Sequence, residues 1–389
     1  EIYTLSQHDA LPISEIDQKM SYADLQEHRY YGNDVTVPGN KADVLDGTKI
    51  ASPTQAAYNR IRLGYDSIDS LDVTDAAGTT TKTSANGSTV TISYNYTDTT
   101  GTTPVNKTGN MNVTVYDSYD KWLEASTKTP KSYDIADGEA VLIRNTGEMV
   151  FSKTAADTLS TNKASLDISY TKTGFTNGEL RPEYYYNCTN ITDTNNKLKY
   201  EKYDKDGNQI YQDIDYVVAA NQTLTVNTEA SNVFDHGLSR DVDELIDAVQ
   251  RSLDAEQKVT DLNAMKKMQE YSSDDCQAKL EEWIAAAEKE RDYANDNMQK
   301  LYNSYIGNCD TYLNKVNLAL TDVGSKGQSL ALTKNRMSNE QETMEELKSK
   351  NEDRELSDII LEYTAAYTAY QSSLQAASKV NQVTLLSYL

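Results

Sequence analysis

Apolar residues recur at a fixed interval along the end of the chain. Leu356, Ile360, Tyr363, Tyr367, Tyr370, Leu374 and Ala377 follow one another in alternating steps of four and three. This is the 3.5-residue repeat of a coiled-coil seam, narrower than the stripe of a helix packed on a globular core. Glu362, Gln371, Gln375 and Lys379 fill other faces. A helix with only a narrow seam to bury needs a partner helix, so the pattern reads as an assembly seam. On periodicity alone, an ordinary amphipathic helix closing a domain reads equally well.

The same interval appears twice upstream. One seam runs Leu280, Ile284, Ala287, Arg291, Ala294, Met298, Leu301 and Tyr305, on a long helix opened by Ser273 or Asp274, with a break expected near Gly307. Another runs Leu313, Val316, Leu320, Val323, Gly327, Leu330, Lys334, Met337, Gln341 and Met344. From Leu313 to Leu347 it would span about 50 Å at 1.5 Å per residue. Gly324 and Gly327 each cost such a helix roughly 1 kcal/mol against Ala, and close helix approach at these small residues is one reason to keep them. The charged run from Lys348 to Glu355 breaks the apolar pattern and reads as a joint. Before these seams, Ser239 caps a helix carrying Val242, Leu245, Ile246 and Val249, with Asp241 and Asp243 in its first turn where the dipole favours negative charge. Asp261 is expected to cap a second, short helix through Met268.

Between Glu15 and Asn232 the period changes to two. Val90, Ile92, Tyr94 and Tyr96 alternate with polar residues, as do Met111, Val113 and Val115, and later Leu224 and Val226. Asn86-Gly87, Asp137-Gly138, Asn177-Gly178 and Asp206-Gly207 punctuate the strands as turns. One helix is expected here, from Pro53 to Asp69 behind an N-cap at Ser52. The fold class is therefore α+β: long C-terminal coiled-coil-like helices and an outer β-rich part. The divisions fall at 15–232 (outer β-rich domain or domains), 233–350 (helical middle domain) and 351–389 (joint and terminal helix).

Composition narrows the function. The chain has 389 residues and a formal net charge of −23, which suits neither nucleic acid nor an anionic membrane as partner. No apolar run approaches the length of a membrane span. Cys188, Cys276 and Cys309 have no paired or metal-ligand spacing and read as free thiols or one incidental pair. His28 and His236 lie far apart without a nucleophile signature, and no phosphate loop, dinucleotide fingerprint or zinc-protease motif occurs. Asp204-Lys-Asp-Gly-Asn208 resembles the start of a calcium loop, but its Gly comes two residues early and no closing Glu follows, so a hairpin turn is the better reading. Neither catalysis nor a cofactor nor a metal is expected. The triplets at Asn106 and Asn187 are what an Asn- and Thr-rich composition produces.

Individual segments carry more than the periods do. Asn317-Leu-Ala-Leu-Thr-Asp-Val-Gly-Ser-Lys-Gly327, Leu332-Thr-Lys-Asn-Arg336, Glu345 to Glu355 and Gln375-Ala-Ala-Ser-Lys-Val-Asn-Gln-Val-Thr-Leu-Leu-Ser-Tyr-Leu389 together resemble the C-terminal region of the bacterial flagellin superfamily. The resemblance is specific over Leu238 to Leu389 and weaker upstream, where Arg181-Pro-Glu-Tyr-Tyr185 looks like another segment of the family. The ending Leu385-Leu-Ser-Tyr-Leu389 is similar to hook-associated protein 3 rather than to flagellins, which tend to close on Leu-Ser-Leu-Leu and a basic or small residue. The resemblance implies a structural subunit joining the flagellar hook to the filament. It would pass through the type III export machinery with a chaperone and assemble outside the cell. Its partners would be further copies of itself, a second hook-associated protein and flagellin. Flagellin itself is the near alternative; an adhesin or carbohydrate-binding module on a helical stalk is the distant one. Residues 1–14, including Tyr3-Thr-Leu-Ser-Gln-His-Asp-Ala-Leu-Pro-Ile-Ser14, match a translated sequencing adapter and are set aside. The expectation is a chain that begins inside its protein, without the N-terminal helices that the family pairs with the C-terminal ones.

Overall fold

The computed structural model describes residues 13–98, 104–176, 179–193, 195–219, 222–352 and 355–382. Nearly all of the adapter-like stretch, the turn expected at Asn177-Gly178 and the closing Leu385–Leu389 lie outside these residues. The chain is α+β, with a large sheet and long C-terminal helices. Its strands are β1 (Ser14–Ser21), β2 (Gln26–Gly32), β3 (Thr54–Arg62), β4 (Ser70–Thr74), β5 (Thr80–Thr83), β6 (Ser88–Asp98), β7 (Val105–Tyr116), β8 (Ala140–Ile143), β9 (Glu148–Phe151), β10 (Ser165–Lys172), β11 (Asn187–Asn190), β12 (Leu198–Tyr200), β13 (Asp215–Ala219) and β14 (Gln222–Thr225). Its α-helices are α1 (Lys41–Leu45), α2 (Tyr119–Glu124), α3 (Lys153–Thr161), α4 (Ala230–Val233), α5 (Gly237–Lys266), α6 (Asp274–Glu352) and α7 (Leu356–Gln382). The chain divides into two compact units, Glu1–Gln212 with Thr228–Ala319, and Asp213–Asn227 with Leu320–Leu389. This division runs through α6, whereas the sequence pattern places its boundary between 232 and 233.

In the first unit the sheet follows the order β12-β11-β1-β10-β6-β7-β8-β9-β3-β2, with β4 and β5 joined to β10. Among the described pairings only β7–β8 is parallel. The period of two explains both faces of the β6–β7 hairpin. Val90 stands opposite Val113 and Ile92 opposite Met111, and this row faces the core with Val115. The alternate positions carry Thr and Asn, which pair across the strands: Thr89 with Thr114, Thr91 with Asn112, Thr97 with Asn106. The Thr- and Asn-rich composition is thus the solvated side of a half-buried sheet. Gly109 is required where it stands, because the Tyr94 ring lies across it and a Cβ there would sit 2.2 Å from that ring. Gly87, Gly138 and Gly207 all have positive φ, as the turns demand. At Asp204 the chain makes the expected hairpin turn, with the Asp204 amide donating to the Asn208 carbonyl at 2.9 Å and a bridge between Tyr203 and Gln209.

Three expectations about local structure are corrected. The stretch from Pro53 to Asp69 is not a helix: Thr54–Arg62 is strand β3, paired with β2 and β9. Its side chains split by twos, with Ile61 in the main core and Arg60 and Arg62 on the opposite face, so neighbouring strands override the helical spacing. Helix α5 is one helix of 30 residues whose N-cap is His236 rather than Ser239, and no cap occurs at Asp261. The Asp261 carboxylate accepts instead from Gln257 Nε2 at 2.7 Å, one turn back, while Val259 and Leu262 keep the buried face continuous. Helix α6 does not break at Gly307. There Tyr305 and Asn308 are tied to α5, to Glu244 and Asp241, across the glycine.

Helices α5 and α6 form an antiparallel hairpin within the first unit. Lys266 pairs with Glu281, Lys258 with Glu290 and Ser252 with Asn295, so one number falls as the other rises. The seam read from Leu280 to Tyr305 is the buried side of this hairpin, with Leu280 and Ala287 at 0 % exposure. Trp283 anchors it, stacked among Val259, Leu262 and Tyr271 with Val35 and Val44, and its indole N–H donates to the Val44 carbonyl at 3.2 Å. In the second unit β13 and β14 form a hairpin, and the Asn227 side chain closes its base by accepting from the Ile214 amide at 2.8 Å.

Candidate functional site

Two groupings stand out. In the second unit, the row read as an assembly seam lies on one continuous helix, α7. Leu356 is 72 % exposed, Ile360 55 %, Tyr363 68 %, Tyr367 50 %, Tyr370 61 % and Leu374 52 %. Ala377 is exposed as well. The helix aligns them without any tertiary help. Tyr363 and Tyr367 stack one turn apart, with ring centroids 6.0 Å apart and planes within 12°. A neighbouring face is built from smaller side chains, among them Thr364, Ala365, Thr368, Ala369 and Ser372. Thr364 and Thr368 turn their hydroxyls back to carbonyls four residues earlier, which leaves their methyl groups outward. The seam on the far part of α6 is exposed too, at Leu320, Val323, Leu330, Met337 and Met344. Such rows have no chemistry to offer except burial, and each large side chain is worth roughly 1.5–3 kcal/mol when fully covered.

The second grouping lies inside the first unit, where α5 and α6 meet the β2-β3-β9 end of the sheet. Alternation along β3 puts Arg60 and Arg62 on one face, and the ladder sets Glu148 opposite Arg62. Arg60 reaches Glu148 at 2.8 Å and Glu244 of α5 at 2.6 Å, and it donates to the Tyr305 hydroxyl at 3.0 Å. Arg62 pairs with Asp241, which is fully buried and also accepts from Asn308 at 2.9 Å and Tyr312 at 3.0 Å. His28 on β2 places Nδ1 3.2 Å from Glu244. Arg240 donates to the carbonyls of Leu63 and Thr146. Burial, with Arg60 second, holds the His28 imidazole down at about 4. Burial pushes the Glu244 carboxyl the other way, but Arg60 and His28 outweigh it and hold it at about 2. Glu148 is lowered in the same way, burial opposing and Arg60 prevailing. Beside this cluster an open cleft of about 840 Å³ is lined by His28, Arg62, Tyr119, Glu148, Arg240 and Glu244, among others.

Sequence reasoning singled out the first grouping and missed the second. Arg60, Glu148 and Glu244 belong to three elements that the fold alone brings together. The one available signal was Arg60-Ile61-Arg62, a polar–apolar–polar alternation that the helical reading of this stretch concealed. The two histidines do not form a pair: His236 sits against Tyr186, whose hydroxyl lies 2.9 Å from its Nε2. Cys188 and Cys276 are buried and Cys309 is exposed, all three as free thiols. Among the described residues, no group of three or more metal-ligating side chains is placed to hold an ion, and no helix is long and apolar enough to cross a membrane. No protein-family model, no curated protein and no solved structure matches the chain.

Proposed function

We propose that this chain is a structural subunit that assembles through its C-terminal helices, a flagellin-like protein of the hook-associated protein 3 kind that joins the flagellar hook to the filament. The observation that carries the reading is the exposed row from Leu356 to Leu374 on α7. Helices that present such rows are marginal alone and gain most of their stability from partners. The segments that resemble the flagellin superfamily support this identity. The mechanism is mechanical: α7 helices of neighbouring subunits pair as coiled coils along the seam, and no catalytic step or cofactor takes part. Partners are further copies of the chain, a second hook-associated protein and flagellin, outside the cell, after export with a chaperone.

The test replaces Leu356, Ile360, Tyr363 and Tyr367 by Ser in the flagellar gene that encodes this chain. Secretion should persist while filaments fail to remain on hooks, as counted by electron microscopy. Normal filament attachment in this variant would defeat the proposal. Growth of the protein alone into long filaments would turn it towards flagellin itself.

A further inference from the structure

We propose that the charge cluster between the helical hairpin and the sheet is an acid-sensitive latch, which on acidification releases the first half of α5 from the sheet while the sheet core stays folded. This inference is independent of the assembly reading.

Three observations carry it. The first is how the first half of α5 is held. Leu238, Val242, Ile246 and Leu253 are all exposed by 40 % or more, whereas Asp241 is at 0 % and Glu244 touches Arg60. Its apolar grip is a small cluster of Ala248 and Leu245 with Met298, Leu301 and Tyr305. The second half of α5 holds through Val259 and Leu262 against Trp283. The polar contacts are therefore the principal hold on the first half, and segments held in this way open before a core does.

The second observation is the charge balance. Arg60 and Arg62 pair with Glu148, Asp241 and Glu244, and Arg240 feels the charge of Glu148 and Asp66. His28 faces Arg60 and Arg62 from β3, Glu148 from β9 and Glu244 from α5, with the Tyr30 ring on its own strand 4.8 Å away. From α6 the neighbouring group is the Tyr305 hydroxyl on Arg60, and from α2 it is Tyr119, against Tyr30. A proton on His28 adds a positive charge beside two guanidiniums on a side chain only 11 % exposed, and burial and Arg60 together disfavour it.

The third is access. His28 and Glu244 both line the open cleft, so protons and water reach the latch without unfolding of the sheet.

The sign follows from linkage. His28 binds a proton more readily once α5 has left and water reaches its ring than when docked, where it is held at about 4. Arg60 and Arg62 stay beside it on β3 and keep it below the ordinary 6.5. Docking is therefore fully favoured above pH 6.5 and is lost as the pH falls towards 4. Docked Glu244 stays ionised through that window, and its own linkage begins only near pH 4.5. At pH 4.5 the release equilibrium should be raised by up to about 50-fold over pH 7.

Hydrogen exchange with mass spectrometry tests this on the purified chain at pH 7.0 and 4.5, corrected for intrinsic rates. Peptides covering 237–252 should lose protection by that factor, while those covering β6 and β7 keep theirs. In His28→Gln the 237–252 protection should no longer depend on pH across the window. Equal loss throughout the first unit, or an unchanged pH dependence in His28→Gln, would overturn the latch. Should His28→Gln fail to fold, the His28 ring-proton resonance of the unaltered chain decides: titration at or above pH 6.5 overturns the proposal, and titration well below it supports it.

Discussion

Arg60 lies between Glu148 and Glu244 with 2 % of its surface exposed. A buried guanidinium so placed adds little net stability over an apolar side chain, but removing it leaves the buried Glu148 carboxylate and the half-buried Glu244 without their shared partner. Arg60→Met should lower the unfolding free energy of the chain by about 3–5 kcal/mol in a urea titration. Adding Glu148→Gln and Glu244→Gln should restore part of the loss. A single-variant loss below 1 kcal/mol would mean that the pairing is not made. Acid acts on the same group: Glu244 has its carboxyl depressed from 4.5 to about 2, so its stabilisation is complete above pH 4.5 and disappears as the pH falls through 2. The thiols separate by burial. Cys309 should be alkylated quickly in the native chain, and Cys188 and Cys276 only after denaturation, Cys188 doubly protected because burial pushes its thiol up to about 12. Peptide mass mapping before and after denaturation checks the order, and native labelling of Cys276 ahead of Cys309 would contradict it.

At the scale of elements, one repeat has two outcomes. The seam from Leu280 to Tyr305 is buried by α5 of the same chain, and the seam from Leu356 to Leu374 is exposed. Period shows that a helix has a side to bury, and this was legible. Which helix covers that side depends on chain turns such as Met268–Ser273, and period carries no information on it. The sheet was legible where alternation is strict, as at Val90 to Tyr96, and illegible at β3, where Ala56, Ile61 and Leu63 mimic helical spacing. The charge cluster was illegible because it needs β2, β3, β9, α5 and α6 in place at once. Gly324 and Gly327 are helical with nothing within 4 Å of the Cβ each lacks. Gly324→Ala with Gly327→Ala should therefore stabilise α6 by up to about 2 kcal/mol, seen as higher helicity and a later thermal transition. If these glycines admit a neighbouring helix in an assembly, the same variant should assemble poorly. Unchanged or lower helicity would show that the glycines serve the single chain.

At the scale of the whole molecule, the sheet needs pairings distant in sequence as well as hairpins, whereas the hairpin of α5 and α6 closes on a near one. Ser169 meets Asp17 across 152 positions, while Gln277 meets the Lys266 carbonyl across 11. Near pairings form first, because less chain must be ordered to close them. In refolding, far-UV helical signal should precede the change at Trp122, whose cluster needs β2, β9 and α2 together; a Trp283→Phe variant isolates that probe. Simultaneous signals would refute the order. The position of β1 carries this further. It is an inner strand, flanked by β10 and β11, and it buries Ser14, Ile16, Gln18 and Met20. A chain lacking Ser14–Ser21 would keep both flanking strands and hold an empty slot between them, with unsatisfied backbone groups on each side. A slot of that kind accepts a strand from any source of the right sequence. The molecule can thus be divided into a receptor and a free eight-residue key, Ser14 to Ser21, whose addition in trans should restore the missing ladder and make the fold of the remainder conditional on a peptide.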